Sequence, residues 1–375
     1  MQEIITYATK SFIDIIIFST RVNVSKRLTA TVLIYLHRDK GKDKIKPSLF
    51  GEFPLQCSCC QLFAPKQMES VSFPPLSRVA ICGGTHGNEM TGVYMVREMQ
   101  KQKMDKTGSL SVSIILSNPR AVEACRRYIE TDLNRCFTSD LLSSPVTDST
   151  PYELKRAQEL NAQVGPKGSE EAVDLLIDIH NTTSNMGLCF IFYSIDWVTL
   201  HILKYIQSKM TSVDIRAIQL DLPISEAYSL ESVGKHGFAI EVGPQPNGVL
   251  RADIYNMVKE AVDHIFSWLQ EFNSGSTFEG GEVEVYTLVK SVDYPRDAVT
   301  GEITAAIHCQ LQDNDFKLLQ RGDPIFLSFS GETVKYDDEE LYPFFVNECA
   351  YYEKKIAFHL GRKIKLTFPS INLTG

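Results

Sequence analysis

The sequence lacks an apolar run that could cross a bilayer, and it lacks the marks of a targeting segment. The run Ile15–Phe18 is too short for a membrane span and directly follows the charged residue Asp14. No small-residue cleavage site lies near it, and Glu3 and Asp14 argue against a transit peptide. We therefore expect a protein with no integral membrane segment.

A net positive charge is also absent. The formal net charge is −8, so a general electrostatic attraction for nucleic acid is absent and no nucleic-acid partner is expected. Residues 1–50 depart from this pattern, because nine Lys/Arg and four Asp/Glu give them +5 and leave −13 for residues 51–375. With 43% hydrophobic and 22% charged residues, the composition is that of an ordinary globular protein.

The cysteines do not form a disulfide or zinc-finger pattern. Their number is nine, which is odd, and the last six are scattered singly through apolar segments. Cys57, Cys59 and Cys60 lie close together, but no partner His or Cys pair follows at finger spacing. We expect reduced, buried thiols in a cytosolic protein rather than a disulfide framework.

The chain of 375 residues is long enough for two domains and an extension. Residues 1–77 do not share the regular pattern of the rest, and we expect an atypical, poorly ordered extension there, although residues 31–36 could form a strand. Alternating strands and helices over residues 78–275 predict an α/β domain with a doubly wound, largely parallel or mixed sheet. Strand patterns separated by turns over residues 276–375 predict a smaller C-terminal β domain. The predicted strands are 78–82, 110–116, 173–179, 188–193, 215–220, 237–242, 282–292, 304–307, 325–329, 344–347 and 364–368, and the predicted helices are 89–101, 118–126, 151–162, 196–209 and 251–273.

The stretch Gly83–Glu89 joins the first of these strands to the first helix, and it carries a histidine and a carboxylate three residues apart. Its glycines permit a tight turn and a close approach of other groups to the backbone. His86 and Glu89 could supply one imidazole nitrogen and one carboxylate oxygen to a Zn²⁺ ion. The pattern alone is a weak signal, because capping and packing are the commoner roles of such a turn.

Two further strand ends carry the other groups that a zinc hydrolase needs. His180 ends an apolar strand two residues after Asp178, so that both side chains lie on one face and Asp178 can orient the imidazole. Because sites in open α/β sheets form at the carboxyl ends of strands, His86, Glu89 and His180 can converge as a ligand set with an open fourth position. Glu241 closes another apolar strand and is the best candidate for the base that activates water. A loop hydrogen bond for His180 and a salt bridge for Glu241 are the structural alternatives.

Three arginines and an asparagine cluster in the non-periodic segment Cys125–Arg135. Guanidinium groups bind carboxylates through paired hydrogen bonds, and one arginine could also polarise a scissile carbonyl beside a metal. The segment therefore fits a carboxylate clamp. An ordinary solvated basic loop would have the same composition.

Together these segments resemble the aspartoacylase family of zinc-dependent amidohydrolases, within the carboxypeptidase-like zinc hydrolases. The resemblance follows the family's order over roughly residues 78–360 and has no counterpart for residues 1–77. It implies one Zn²⁺ per chain and a C-terminal β domain that partly covers the active site of the catalytic α/β domain. The matching stretches are Gly83–Glu89, Arg127–Tyr128, Asp132–Arg135, Asp178–Thr183, Glu241–Pro246 and Asn347–Lys354.

The resemblance also implies roles for individual residues. Those that would bind the zinc ion are His86, Glu89 and His180. Those that would act on the reacting amide are Glu241, as general acid/base, and Arg127, which would polarise the carbonyl. Those that would contact the substrate are Arg127, Asn134, Arg135, Glu241 and Tyr351, with Asn134 and Arg135 holding its carboxylate and Tyr351 reaching in from the C-terminal domain.

Two close branches of the family act on different N-acyl amino acids. Aspartoacylase cleaves N-acetyl-L-aspartate, whereas the third aminoacylase prefers uncharged, often aromatic, N-acyl amino acids and mercapturates. Aspartoacylase has an arginine near the substrate's side-chain carboxylate, ten residues before the catalytic glutamate, and this sequence has Glu231 there. Because a carboxylate would repel the aspartate side chain, the resemblance favours the aminoacylase branch.

Two other classes of protein remain open. A catalytically silent binding protein on the same fold is one, although every catalytic position carries a competent residue type. A nucleotide-binding protein is the other, but Gly83–Gly87 is not G-x-G-x-x-G, no lysine follows it, and Glu89 would repel phosphate. The expected partner is a small-molecule N-acyl amino acid, and a homo-oligomer is left open. By resemblance the protein would be cytoplasmic, with a peripheral location at the apical plasma membrane as an alternative.

Overall fold

The computed structural model describes residues 3–7, 14–24, 27–37 and 69–374. The first three ranges are the strands β1 (Glu3–Tyr7), β2 (Asp14–Val24) and β3 (Arg27–His37), which pair antiparallel in a sheet of their own. The strand pattern at residues 31–36 lies inside β3. The poorly ordered extension expected over residues 1–77 falls in large part outside the described residues and stays a prediction. The cysteine cluster at residues 57–60 also lies outside them.

The remaining strands and helices all belong to the part of the chain after residue 68. The strands are β4 (Val71–Phe73), β5 (Arg78–Gly83), β6 (Lys106–Thr107), β7 (Leu110–Leu116), β8 (Leu175–Asn181), β9 (Gly187–Phe192), β10 (Ile215–Gln219), β11 (His236–Gly243), β12 (Gly281–Val292), β13 (Ala305–Ile307), β14 (Pro324–Ser328), β15 (Thr333–Lys335), β16 (Tyr342–Phe344), β17 (Phe358–Phe368) and β18 (Ile371–Leu373). The helices are α1 (Met90–Lys101), α2 (Pro119–Ala124), α3 (Ser139–Leu142), α4 (Tyr152–Val164), α5 (Trp197–Lys209) and α6 (Ala252–Asn273). Short 3₁₀ turns cover Leu133–Arg135, Leu230–Val233 and Cys349–Lys354.

Ten of these strands form one mixed sheet in the order β16-β17-β12-β10-β9-β11-β8-β5-β7-β6. Strands β7, β5, β8 and β11 run parallel to one another, whereas β9 lies antiparallel beside β11. The prediction of a largely parallel or mixed sheet flanked by helices is therefore confirmed in its mixed form. The predicted C-terminal β domain adds β12, β16 and β17 to this sheet and forms the separate sheet β13-β14-β15.

The buried core lies on both faces of the central strands, because successive residues of β5 point to opposite sides. Val79 and Ile81 pack in the cluster that includes residues of α1, α5 and α6. Ala80 and Cys82 pack in a second cluster with residues of α4. Burial on both faces explains why these strands read as apolar runs rather than as alternating patterns. It also leaves the ends of the strands as the places where polar side chains can gather.

The strand boundaries predicted from the sequence differ most from the structure in the C-terminal region. The strand predicted over residues 344–347 is wrong, because β16 ends at Phe344 and the chain turns at Phe345 and Asn347, whose φ values are 53° and 59°. Residues with positive φ cannot continue a strand. Strand β17 begins at Phe358, before the predicted residue 364. The short elements β4, β6, β15, β18 and α3 were not predicted.

The expectation that the cysteines are buried is correct for some of them and wrong for others. Cys82, Cys136 and Cys189 are free and buried, as expected for apolar segments. The described residues also include three free cysteines that are exposed, contrary to expectation: Cys125, Cys309 and Cys349. None of the helices in residues 69–374 has the length and hydropathy needed to cross a membrane.

Candidate active site

Three neighbouring parallel strands bring the predicted catalytic groups to one edge of the sheet. The order β11-β8-β5 places their carboxyl ends side by side. His86 and Glu89 lie in the turn between β5 and α1, and His180 lies near the end of β8. Glu241 on β11 pairs in register with His180. Strand direction and register thus gather residues that are far apart in the sequence.

His86, Glu89 and His180 form a cluster with the donor set of a metal site. Each is buried, and their donor atoms all lie within 4.8 Å of one another. His86 Nδ1 lies 2.6 Å from Glu89 Oε1, and His180 Nδ1 lies 3.0 Å from Glu89 Oε2. Two imidazoles and a carboxylate are ligands suited to a divalent transition metal. The residues present therefore fit a metal ion.

Each imidazole is fixed by a second carboxylate on its far side. His180 Nε2 lies 2.8 Å from Asp178 Oδ2, and His86 Nε2 lies 3.1 Å from Asp132 Oδ1. Thr85 Oγ1 donates to Asp178 as well, at 2.8 and 2.9 Å from its two oxygens. A proton held on Nε2 by these carboxylates leaves the Nδ1 lone pairs free to bind a metal.

The charges within the cluster shift the pKa values of His180 and Glu89. Burial alone would lower the pKa of His180, but the carboxylates of Asp178 and Glu89 raise it well above its ordinary value. Burial alone would raise the pKa of Glu89, but the imidazoles of His86 and His180 hold it far below its usual range. A cation at this position would offset the same carboxylates and would compete with protons for the imidazole nitrogens.

Glu241 places a further carboxyl group beside this cluster. Its Oε1 is buried and has no hydrogen-bond partner among the described residues. Burial, followed by the negative charge of Glu89, raises the pKa of Glu241 well above its ordinary value. A carboxylate oxygen that is held without a structural partner in a cavity is suited to proton transfer.

The arginine cluster divides into residues that face the cavity and one that does not. Arg127 donates through Nε and Nη2 to Asp132 Oδ2 at 3.3 and 3.1 Å, and its Nη1 lies 3.5 Å from Glu89 Oε1. Arg135 donates to the carbonyl of Asn134 at 2.7 Å, and its guanidinium lies 4.6 Å from the centre of the Tyr228 ring. Arg126 is exposed. The fit to a carboxylate clamp therefore rests on Asn134 and Arg135.

A cavity of about 250 Å³ joins the histidine–glutamate cluster to Glu241, Arg127 and Arg135. Tyr351 reaches it from the C-terminal part of the chain, with its ring centre 5.3 Å from those of Phe345 and His359. Further aromatic side chains, Tyr193, Tyr228 and Phe344, also line it. The structure places every predicted site residue on its wall: His86, Glu89, Arg127, Asn134, Arg135, His180, Glu241 and Tyr351.

Glu231 also lines this cavity and is almost completely buried, with 2% of its surface exposed. Its Oε1 accepts a hydrogen bond from the Ser229 hydroxyl, which in turn lies 2.6 Å from the hydroxyl of Tyr193. Its Oε2 has no partner among the described residues. Burial raises the pKa of Glu231 above its ordinary value. The cavity therefore contains a second unsatisfied carboxyl group, apart from Glu241.

Two buried carboxylates of the site were missed by the sequence reasoning. Asp132 was grouped with the arginine cluster, but its contact with His86 was not foreseen. Glu348 lines the cavity and accepts hydrogen bonds from the amides of Thr183 and Ala350 at 2.8 and 3.0 Å. Both residues lie in stretches that carry the family resemblance, which is the signal that could have identified them.

Comparisons with known proteins find similarity over most of residues 75–363. The family model described as the succinylglutamate desuccinylase/aspartoacylase catalytic domain matches residues 75–269, and that of the AstE/AspA barrel-sandwich hybrid domain matches residues 281–363. "N-acyl-aromatic-L-amino acid amidohydrolase (carboxylate-forming) B" of Danio rerio is 62% identical over 311 residues, which are 82% of this chain and 99% of that protein. Aspartoacylase of Mus musculus is 42% identical over 307 residues, which are 81% of this chain and 98% of that protein. The crystal structure of murine aminoacylase 3 is 44% identical, with a TM-score of 0.78, and the match covers 80% of this chain and 100% of that one.

Proposed function

Because the chain belongs to the succinylglutamate desuccinylase/aspartoacylase family, we propose that it is a zinc-dependent amidohydrolase of N-acyl-aromatic amino acids and mercapturates. The observation that carries this proposal is the meeting of His86, Glu89 and His180 with the carboxyl group of Glu241 in one cavity. The products would be a carboxylate and a free amino acid.

Zinc is the metal that the donor set favours. His86, Glu89 and His180 would hold one ion per chain, since two histidines and one glutamate with an open position are a ligand set of catalytic zinc. When bound, zinc would polarise an acyl oxygen and lower the pKa of a water molecule. The carboxylates of Asp178 and Asp132 support the same role, because they fix the two imidazoles with Nδ1 directed at Glu89.

Other residues of the cavity would bind the substrate, transfer the proton and stabilise the developing charge. The substrate's carboxylate would bind to Arg135 and Asn134, with Tyr351 beside it. Glu241 would take a proton from the attacking water as the oxygen bonds to the acyl carbon, and would return it to the nitrogen as the C–N bond breaks. Arg127 would stabilise the negative charge that develops on the carbonyl oxygen.

Two observations favour an uncharged, often aromatic, substrate side chain. The relative named for N-acyl-aromatic substrates is 62% identical to this chain, against 42% for aspartoacylase. In addition, the buried carboxyl of Glu231 lines the cavity, where a second carboxylate on the substrate would be repelled in surroundings of low dielectric constant. Hydrolysis of N-acetyl-L-aspartate is the alternative activity, and a catalytically silent binding protein is the alternative from another class.

The test is a comparison of kcat/KM for N-acetyl-tyrosine and N-acetyl-aspartate on metal-analysed protein. We expect about one zinc per chain, faster turnover of N-acetyl-tyrosine, loss of activity on chelation and recovery when zinc is restored. A wide margin in favour of N-acetyl-aspartate would show that Glu231 does not exclude a charged side chain. Zinc binding without turnover of either compound would favour the binding protein.

A further inference from the structure

The loop between Arg127 and Asp132 has a side chain in the site at each end. Arg127 approaches Glu89, and Asp132 contacts His86 at 3.1 Å. The same two residues also contact each other, because Nε and Nη2 of Arg127 both donate to Asp132 Oδ2. The geometry of the four residues between them therefore sets the position of both groups.

Glu153, in the first turn of α4, is fully buried behind this loop. Its Oε1 accepts a hydrogen bond from the amide of Ile129 at 2.7 Å. Its Oε2 accepts from the amides of Glu130 and Thr131, both at 3.1 Å. Three consecutive backbone donors thus converge on one carboxylate, and the side-chain amide of Asn118 adds a fourth at 3.4 Å.

The loop and helix α4 each accept backbone hydrogen bonds from the other. While Glu153 of α4 accepts from the loop, the side chain of Glu130 in the loop accepts from the amide of Tyr152 at 2.5 Å, at the beginning of α4. At its other end the loop is tied to the metal-binding turn, because the amide of Gly87 donates to the carbonyl of Arg127 at 3.2 Å. The loop is therefore fixed from two sides by contacts that lie outside the cavity.

We propose that Glu153 is a positioning residue, which acts through the loop to hold Arg127 and Asp132 in place for the amidohydrolase reaction. The inference rests on the proposed function. Its physical reason is that partly buried amides need partners, and the carboxylate satisfies three of them in one loop conformation. A loop without this acceptor would move the guanidinium, and displacements of about 1 Å in a site can cost about 10²-fold in rate.

The first test is E153Q, which keeps the shape of the side chain but offers one acceptor oxygen in place of two. The NH₂ group of glutamine would face backbone donors, so at saturating zinc we expect kcat for N-acetyl-tyrosine to fall at least about tenfold, with KM close to that of the wild type. Zinc affinity should fall as well, because the displaced Asp132 contacts His86. The matched control is E159Q on the same helix, because Glu159 is exposed and its ion pair with Arg156, at 2.9 Å, lies on the surface of that helix. This control should keep the wild-type kcat.

A double-mutant cycle with R127A separates positioning from a general loss of stability. If Glu153 acts by placing Arg127, E153Q should lower kcat much less in the R127A background than in the wild type. Equal effects in the two backgrounds would overturn the proposal, as would wild-type kcat for E153Q. If E153Q does not fold, E153D replaces it in the cycle, because it keeps the charge but withdraws the carboxylate by one methylene. A wild-type protein without amidohydrolase activity would instead refute the proposed function.

Discussion

Replacing Asp178 by asparagine should weaken metal binding without removing a ligand. Asp178 is fully buried, and its Oδ2 lies 2.8 Å from His180 Nε2. Thr85 donates to both of its oxygens, so both are engaged. Asparagine has one acceptor oxygen, and its NH₂ group would face either the Thr85 hydroxyl or the N–H of His180. The Thr85 hydroxyl can also accept, so an NH₂ group on that side keeps both contacts, but the neutral amide oxygen is a weaker acceptor for the N–H of His180 than a carboxylate is; an NH₂ group on the His180 side loses that hydrogen bond.

The expected magnitude follows from the role of such outer carboxylates. Their removal typically lowers metal affinity 10- to 100-fold, which corresponds to about 1.4 to 2.8 kcal/mol. The measurement is a competition titration of the metal-free protein with Zn²⁺ and a chelator of known affinity. Thermal unfolding of the metal-free proteins would show separately whether the substitution damages the fold.

The chain offers a matched control in a second histidine–aspartate pair. Asp196 Oδ1 lies 2.8 Å from His236 Nδ1, and neither residue lines the cavity. Asp196 also caps α5 by accepting from two of its amides, and asparagine is an N-cap of similar preference, although it has one acceptor oxygen in place of two. D196N should therefore bind zinc like the wild type. The reasoning is refuted if D178N also keeps wild-type affinity, or if D196N loses as much as D178N.

Three further substitutions test other parts of the site. E241Q should keep the bound zinc and lose about 10²- to 10⁴-fold in kcat, because the base is removed; near-normal turnover would contradict that role. G87A should lower the free energy of unfolding in urea by about 1 to 3 kcal/mol and weaken zinc binding, because the new Cβ would lie 2.0 Å from the carbonyl carbon of Ala121. The control G281A should change zinc affinity little, because its new Cβ would lie 3.7 Å from the nearest atom. E231Q should raise the ratio of kcat/KM for N-acetyl-aspartate to that for N-acetyl-tyrosine about tenfold, or about 1.4 kcal/mol, and an unchanged ratio would show that the charge of Glu231 does not set the preference.

The part of the site that could be predicted from the sequence is the part that regular structure controls. His180 and Glu241 end apolar strands, and the carboxyl ends of parallel strands meet at one edge of a sheet. The contact between Asp178 and His180 follows from the two-residue period of a strand, and it is present at 2.8 Å. His86 and Glu89 could be added because the turn that carries them follows a strand of the same sheet.

The contacts that could not be predicted depend on the path of irregular chain. Asp132 reaches His86 across 46 positions of sequence, and Glu153 reaches the loop 129–131 from the start of another helix. No periodic pattern encodes either contact, since each requires the loop to fold before the partner is defined. The strand prediction over residues 344–347 failed for a similar reason, because an apolar run does not reveal that Phe345 and Asn347 have positive φ values.

The two outer carboxylates of the metal site are therefore not equivalent. Asp178 contacts His180 and Thr85, so its influence is confined to one ligand. Asp132 accepts from Arg127 as well as contacting His86, and Lys354 Nζ lies 3.5 Å from it. A metal ligand and the arginine that would polarise the substrate carbonyl thus share one carboxylate, and displacement of the loop that carries it would alter metal affinity and turnover together. Displacement at Asp178 would alter metal affinity first, which is why that residue gives the cleaner test of the metal site.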